Sequence, residues 1–135
     1  MSRPHFLAPL LRAGHGPSAL RNVRSGRPVA THVETAFSSA DRKRGLLGRE
    51  GLAPGQALVI APTSLVHTFA MRFPIDILFA SRDGRVLKIS SAVPPRRIAG
   101  SLRAFAVVEM AAGELARSDT RVGDVIEVAD GRQGN

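Results

Sequence analysis

From residue 18 onward the chain alternates apolar and polar positions with a period near two, the pattern of half-buried strands. Ala19-Leu20-Arg21-Asn22-Val23 and Val29-Ala30-Thr31-His32-Val33 flank Ser25-Gly26 and predict a hairpin. Further strands are predicted over residues 56–61, 67–71, 75–80, 85–91, 104–110 and 125–129. Asp83-Gly84 and Val122-Gly123-Asp124 supply tight turns between them. Ser38 stands three residues before Asp41, a capping-box start. It predicts a short helix over 39–47, closed by Gly48. Residues 112–117 predict one further helical turn. The result is a mainly β (α+β) chain of about eight strands with one or two short helices. A small closed or nearly closed β-barrel is expected, because closure removes exposed sheet edges. Pro4, Pro9, Gly14, Gly16 and Pro17 make 1–17 an irregular basic segment. Residues 18–130 form one β-rich domain, and 131–135 a frayed tail.

Within this pattern one run stands apart. His67-Thr68-Phe69-Ala70-Met71-Arg72-Phe73-Pro74-Ile75-Asp76 sets an imidazole, a hydroxyl, a guanidinium and a carboxylate among apolar residues. Burying such groups is costly unless each is paired, so the run reads as the wall of a polar site. Two-residue periodicity puts His67, Phe69 and Met71 on one face and Thr68, Ala70 and Arg72 on the other. In the next strand Ile75, Ile77 and Phe79 oppose Asp76, Leu78 and Ala80. Glu109 shares a face with Phe105 and Val107, a second polar intrusion. A buried carboxylate needs a cation or donors, and Arg72 or His67 are the candidates.

Composition narrows the chemistry. The chain has 135 residues, enough for one domain with a real core. It lacks Trp and Tyr, which counts against aromatic platforms for sugars or single-stranded nucleic acid. Without Cys there is no disulfide, thiolate metal site or cysteine nucleophile. The net charge is +8, of which five arginines (Arg3, Arg12, Arg21, Arg24, Arg27) and no acid lie within residues 1–28. The body is mixed in charge, so nucleic acid is not the expected partner. The apolar run 6–11 is too short for a secretory core or a membrane span. A cytoplasmic protein with no membrane association is expected.

Four segments fall in register: Arg44-Gly45-Leu46-Leu47-Gly48-Arg49, the run His67 to Asp76, Val107-Val108-Glu109-Met110-Ala111-Ala112-Gly113, and Val122-Gly123-Asp124. Together, over roughly residues 34–128, the chain resembles the domain-of-unknown-function family number 192, a group of small prokaryotic proteins. The resemblance implies a compact β-rich domain and brings no established activity. Family members often follow a secretion signal. They usually carry an aromatic residue before the motif methionine, where this chain has Ala70. The Val-Gly-Asp turn also looks like turns of cradle-loop barrels, a likeness of fold that leaves function open.

Several chemistries compete for the motif. His67 with Asp76 or Glu109 would make an acid–base pair, and Ser64 or Thr68 a nucleophile. No Gly-x-Ser-x-Gly elbow accompanies them. For a metal, His67 and Asp76 with a remote His32 lack signature spacing. Arg44-Gly45-Leu46-Leu47-Gly48 lacks the Lys-Ser/Thr ending of a phosphate loop. Arg42, Lys43 and Arg49 read as a solvated basic face, and Pro94-Pro95-Arg96-Arg97 as a surface loop. The leading expectation is a non-catalytic module that binds a small polar or acidic ligand. Its pocket is formed by His67, Thr68, Met71, Arg72, Asp76 and Glu109, with no catalytic residue, metal or cofactor assigned. The runner-up is a hydrolase-like enzyme using His67 with Asp76 or Glu109. Third stands an interaction domain using the basic N-terminal segment.

Overall fold

The structure, a computed structural model, describes residues 4–11, 18–69 and 71–130. Expectations resting on 1–3, on 12–17, on Ala70 and on the tail 131–135 lie outside the described residues. The fold is mainly β with two short helices. The expected hairpin is present as β1 (Ser18–Asn22) and β2 (Pro28–Ala30). Gly26 turns between them at φ +71°. Residues 32–33, predicted to continue the hairpin, instead begin β3 (His32–Ala36), which runs parallel to β4 (Gln56–Ile60).

Ser38 caps α1 (Ser39–Arg44), its side chain accepting the Asp41 N–H at 3.1 Å. The helix stops at Gly45, three residues before the expected Gly48, because Gly45 takes φ +47° and donates its N–H to the Asp41 carbonyl. The strand predicted over 67–71 is shifted. β5 (Leu65–His67) ends at the histidine, and a Met71 N–H bond to the Thr68 carbonyl curls the chain away. β6 (Ile75–Ala80) and β7 (Val86–Val93) follow, joined through Gly84 at φ +85°. β8 (Ile98–Gly100), which lies outside every strand predicted from sequence, pairs with β5. β9 (Ala106–Ala111), α2 (Glu114–Arg117) and β10 (Ile126–Asp130) complete the chain.

The strands sort into three sheets, ordered β10-β1-β2, β3-β4-β9-β6-β7 and β5-β8. The closed barrel expected from the pattern is not found among the described residues. β3 and β7 end the five-stranded sheet, and a lone bridge between Arg85 and Val125 links it to the first sheet. β6 and β9 lie side by side in its middle with both faces covered, which is why every residue of β6 is buried. One face packs Leu78, Val108 and Met110 against Leu20, Leu115 and Ile126. The other packs Ile75, Ile77, Phe79 and Val107 against Leu46, Leu58 and Ile60. The N-terminal segment adds to the first cluster. A 3-10 turn at Ala8–Leu11 follows Leu7, which is fully buried, and the Phe6 N–H donates to the Arg82 carbonyl. Apolar pattern in so short a run did not reveal this docking.

Candidate functional site

A cavity of about 260 Å³ opens between α1, β5 and β9. Arg42, Lys43, Arg44 and His67 stand around it, with Leu46, Ile60, Val66 and Met71 as apolar wall. Glu109 borders the same space and is only 3% exposed. No hydrogen bond or ion pair reaches its carboxyl among the described residues. Its cross-strand neighbours on β4 and β6 are Leu58 and Ile77, which offer no donor. Desolvation therefore pushes the Glu109 carboxyl up to about 7, so that it is part protonated at neutral pH.

Sheet register decides which sequence candidates can join it. Ile77 is opposite Glu109, while Asp76 is opposite Met110. Adjacent residues of a strand point to opposite faces, so Asp76 and Glu109 lie on opposite sides of the sheet. Of the two carboxylates expected to pair with His67, only Glu109 therefore faces this cavity. Asp76 is instead consumed by the backbone. Its Oδ1 accepts the Ala92 N–H at 2.9 Å, and its Oδ2 accepts those of Gly113 and Leu115 at 3.0 and 3.1 Å. This fastens β6 to the kink of β7, where Ala92 has φ +47°, and to the turn into α2. Arg72 is exposed and is not the partner of Asp76.

Thr68 is likewise a fastening. It is buried, its hydroxyl donates to the Pro94 carbonyl at 2.8 Å, and it accepts the Arg97 N–H at 2.8 Å. The 94–97 loop is held by these bonds and does not border the cavity. Of the six expected residues, the structure thus gathers His67, Met71 and Glu109, and leaves Thr68, Arg72 and Asp76 out. Phe69, 48% exposed, joins them, its ring 5.5 Å from that of His67. Arg42 and Lys43, expected from sequence to belong with Arg49 to a solvated basic face, border this cavity together with Arg44. Arg42 donates to the Phe37 carbonyl at 2.6 Å, Arg44 stands 3.9 Å from Asp41, and Lys43 is exposed. Their run of three positive charges after a capped helix start was the available signal.

Other groups are accounted for. A larger hollow of about 440 Å³ borders His32 and Glu34, but Glu34 is already engaged by Arg49 and Gln56. His32 is therefore at a different hollow from His67. No group of three or more His, Asp or Glu able to hold a metal ion occurs among the described residues. The Val-Gly-Asp turn has a structural task. Asp124 accepts from Asn22, from Arg24 and from the Arg121 N–H, and Arg24 foremost holds its carboxyl far below the ordinary range. Arg21 pairs with Glu127, and Arg27 donates to the Arg117 carbonyl. Three of the five N-terminal arginines are thus tied to the body. No helix among the described residues is long and apolar enough to cross a membrane.

With this geometry in view, comparison with known proteins gives consistent results. The sequence pattern of DUF192, described as "Uncharacterized ACR", matches residues 21–128. No curated protein matches the chain. Two solved structures are similar. One, a protein of unknown function from Novosphingobium aromaticivorans, is 24% identical with a TM-score of 0.71, over 87% of this chain and 89% of that one. The other, a putative transcription regulator from Sinorhizobium meliloti, is 25% identical with a TM-score of 0.73, over 88% and 98% respectively.

Proposed function

This chain belongs to the DUF192 family, and for it we propose a binding function: a non-catalytic module that holds a small organic acid in the cavity between α1, β5 and β9. The observation that carries the reading is Glu109, nearly fully buried, without a partner among the described residues, at the side of a cavity whose mouth is cationic. A protein loses stability by leaving such a group unpaired, and a ligand able to satisfy it recovers that loss on binding. Arg42, Lys43 and Arg44 attract an anionic group, and the apolar wall takes a short hydrocarbon body. The volume sits below the roughly 300–1,000 Å³ of drug-sized sites, which favours a ligand of metabolite size over a nucleotide.

Thermal melting with short carboxylates such as hexanoate and glutarate tests this. A saturating rise in the midpoint is expected, worth about 2.7 kcal/mol at 100-fold excess over the dissociation constant. The rise should disappear in Lys43→Ala/Arg44→Ala. Failure of every short carboxylate to shift the midpoint would refute the reading.

A second reading has its own support. A buried carboxyl that titrates near neutrality is the property of a general acid or base, and His67 borders the same cavity. In this enzymatic version the pair is His67 with Glu109, since Asp76 is committed to three N–H groups. Against it, Thr68 is tied to backbone, Ser64 does not line this cavity, and the Thr63 hydroxyl that does line it donates to the Leu65 carbonyl at 3.0 Å. Gene regulation, which the name of the Sinorhizobium meliloti protein brings to mind, has less support. The longest helix among the described residues has six residues, short for a helix that reads a DNA groove.

A further inference from the structure

We infer that the ligand is a zwitterion of the ω-amino-acid type, seated with its ammonium on Glu109 and its acid group at the Arg42–Lys43–Arg44 mouth. This rests on the binding reading above and specifies the chemistry at the inner end of the same cavity. The argument begins with what the inner end lacks. Glu109 offers two carboxyl oxygens and receives no donor from the described residues. Leu46, Ile60, Val66 and Met71, which line the same cavity, carry no donating side-chain group, and Thr63, which also lines it, gives its hydroxyl proton to the Leu65 carbonyl. The vacancy is therefore for a donor, not for an acceptor. A ligand carboxylate placed there would meet a like charge whenever Glu109 is ionised. A neutral carbonyl would take one proton from the acid form and leave the other oxygen unsatisfied. A primary ammonium carries three N–H donors and a full charge, enough for both oxygens.

At the outer end the need is reversed. α1 brings Arg42, Lys43 and Arg44 to the mouth, and Asp41 reaches Arg44 only at 3.9 Å. Lys43 is exposed. Cation-rich mouth, apolar wall and acidic inner end describe a molecule with an acid at one tip, a short hydrocarbon body and an amine at the other. Binding an ammonium requires ionised Glu109, so it expels the proton that the empty site holds. The remaining titratable groups bordering the cavity are the three α1 cations and His67 on β5. β4 and β6 present Leu58 and Ile77.

Calorimetric titration of the full chain with 6-aminohexanoate, hexanoate and hexylamine tests the assignment. The amino acid is expected to bind most tightly, and about tenfold more tightly at pH 8 than at pH 6, following the ionised fraction of Glu109. Glu109→Gln should weaken it by about 10–100-fold and weaken hexanoate, which has no ammonium to place on Glu109, by much less. Lys43→Ala/Arg44→Ala should weaken both acids and spare hexylamine. The pH dependence should survive in His67→Gln, which removes the imidazole at the cavity. Hexanoate binding as tightly as 6-aminohexanoate, with no effect of Glu109→Gln, would overturn the zwitterion and leave the binding module standing. Absence of binding by all three compounds would remove both. A pH dependence abolished by His67→Gln and retained in Glu109→Gln would also overturn the assignment.

Discussion

Asp76→Asn exchanges one oxygen for a nitrogen in a buried side chain that accepts three backbone N–H groups. If the amide oxygen keeps the Gly113 and Leu115 bonds, its NH2 must face the Ala92 N–H, donor against donor. One charge-assisted bond is then lost, the other two become neutral, and the buried NH2 of the new side chain is left without an acceptor. Hydrogen bonds to a charged group are worth about 1.5–3 kcal/mol each, and an unsatisfied buried donor costs about 1–3 kcal/mol. Allowing for relaxation, we expect a loss of about 2–4 kcal/mol, a large part of the roughly 5–15 kcal/mol that holds a domain folded. At about 3–5 °C per kcal/mol for a chain of this size, the melting midpoint should fall by about 6–20 °C. Urea unfolding gives the free energy, and binding of hexanoate below the new midpoint gives the function. The account requires lower stability with nearly unchanged affinity, because Asp76 lies across the sheet from the cavity. A variant that melts like the parent but no longer binds would refute it and return Asp76 to the site.

Four other outcomes follow from the same geometry. Glu109 is protonated more readily in the folded chain than at its ordinary 4.5, so the folded state binds the extra proton between about 4.5 and 7 and stability falls as pH rises through that window. Paired denaturation at pH 5 and pH 8 should show this loss, up to about 3 kcal/mol, and Glu109→Gln should abolish it. Leu7→Ala should cost about 2–4 kcal/mol in urea denaturation, because the fully buried side chain anchors the N-terminal segment; no loss would mean the segment does not dock. Thr68→Val should lower the midpoint by about 1–3 kcal/mol in equivalent stability and loosen the 94–97 loop to proteolysis, with ligand affinity retained. Gly84→Ala should destabilise by more than 1 kcal/mol in thermal melts, since φ is +85° and its Cβ would fall 2.3 Å from the Ile126 carbonyl oxygen.

Local chemistry was readable along the chain. The Ser38 cap, the Gly26 and Gly84 turns and the apolar runs of β4, β6 and β9 depend on near neighbours in sequence, and each occurs close to its expected position. The same period-two pattern put Glu109 on the face of Val107, as the core clusters and the cavity agree. What pattern could not supply was pairing between distant strands. The parallel match of β3 to β4, the β5–β8 pair and the three-sheet order depend on long-range register, which alternation leaves open.

The candidate site divides along the same line. Residue types alone marked His67 to Asp76 and Glu109 as polar groups set in an apolar chain. Only tertiary structure decided their fates. Asp76 and Thr68 found backbone partners brought from residues 92–115 and 94–97, and so became fastenings. Glu109, opposite Leu58 and Ile77, found none among the described residues. Whether a buried polar group is structural or available for a ligand depends on what the fold sets against it, and a sequence states the group without stating its neighbours.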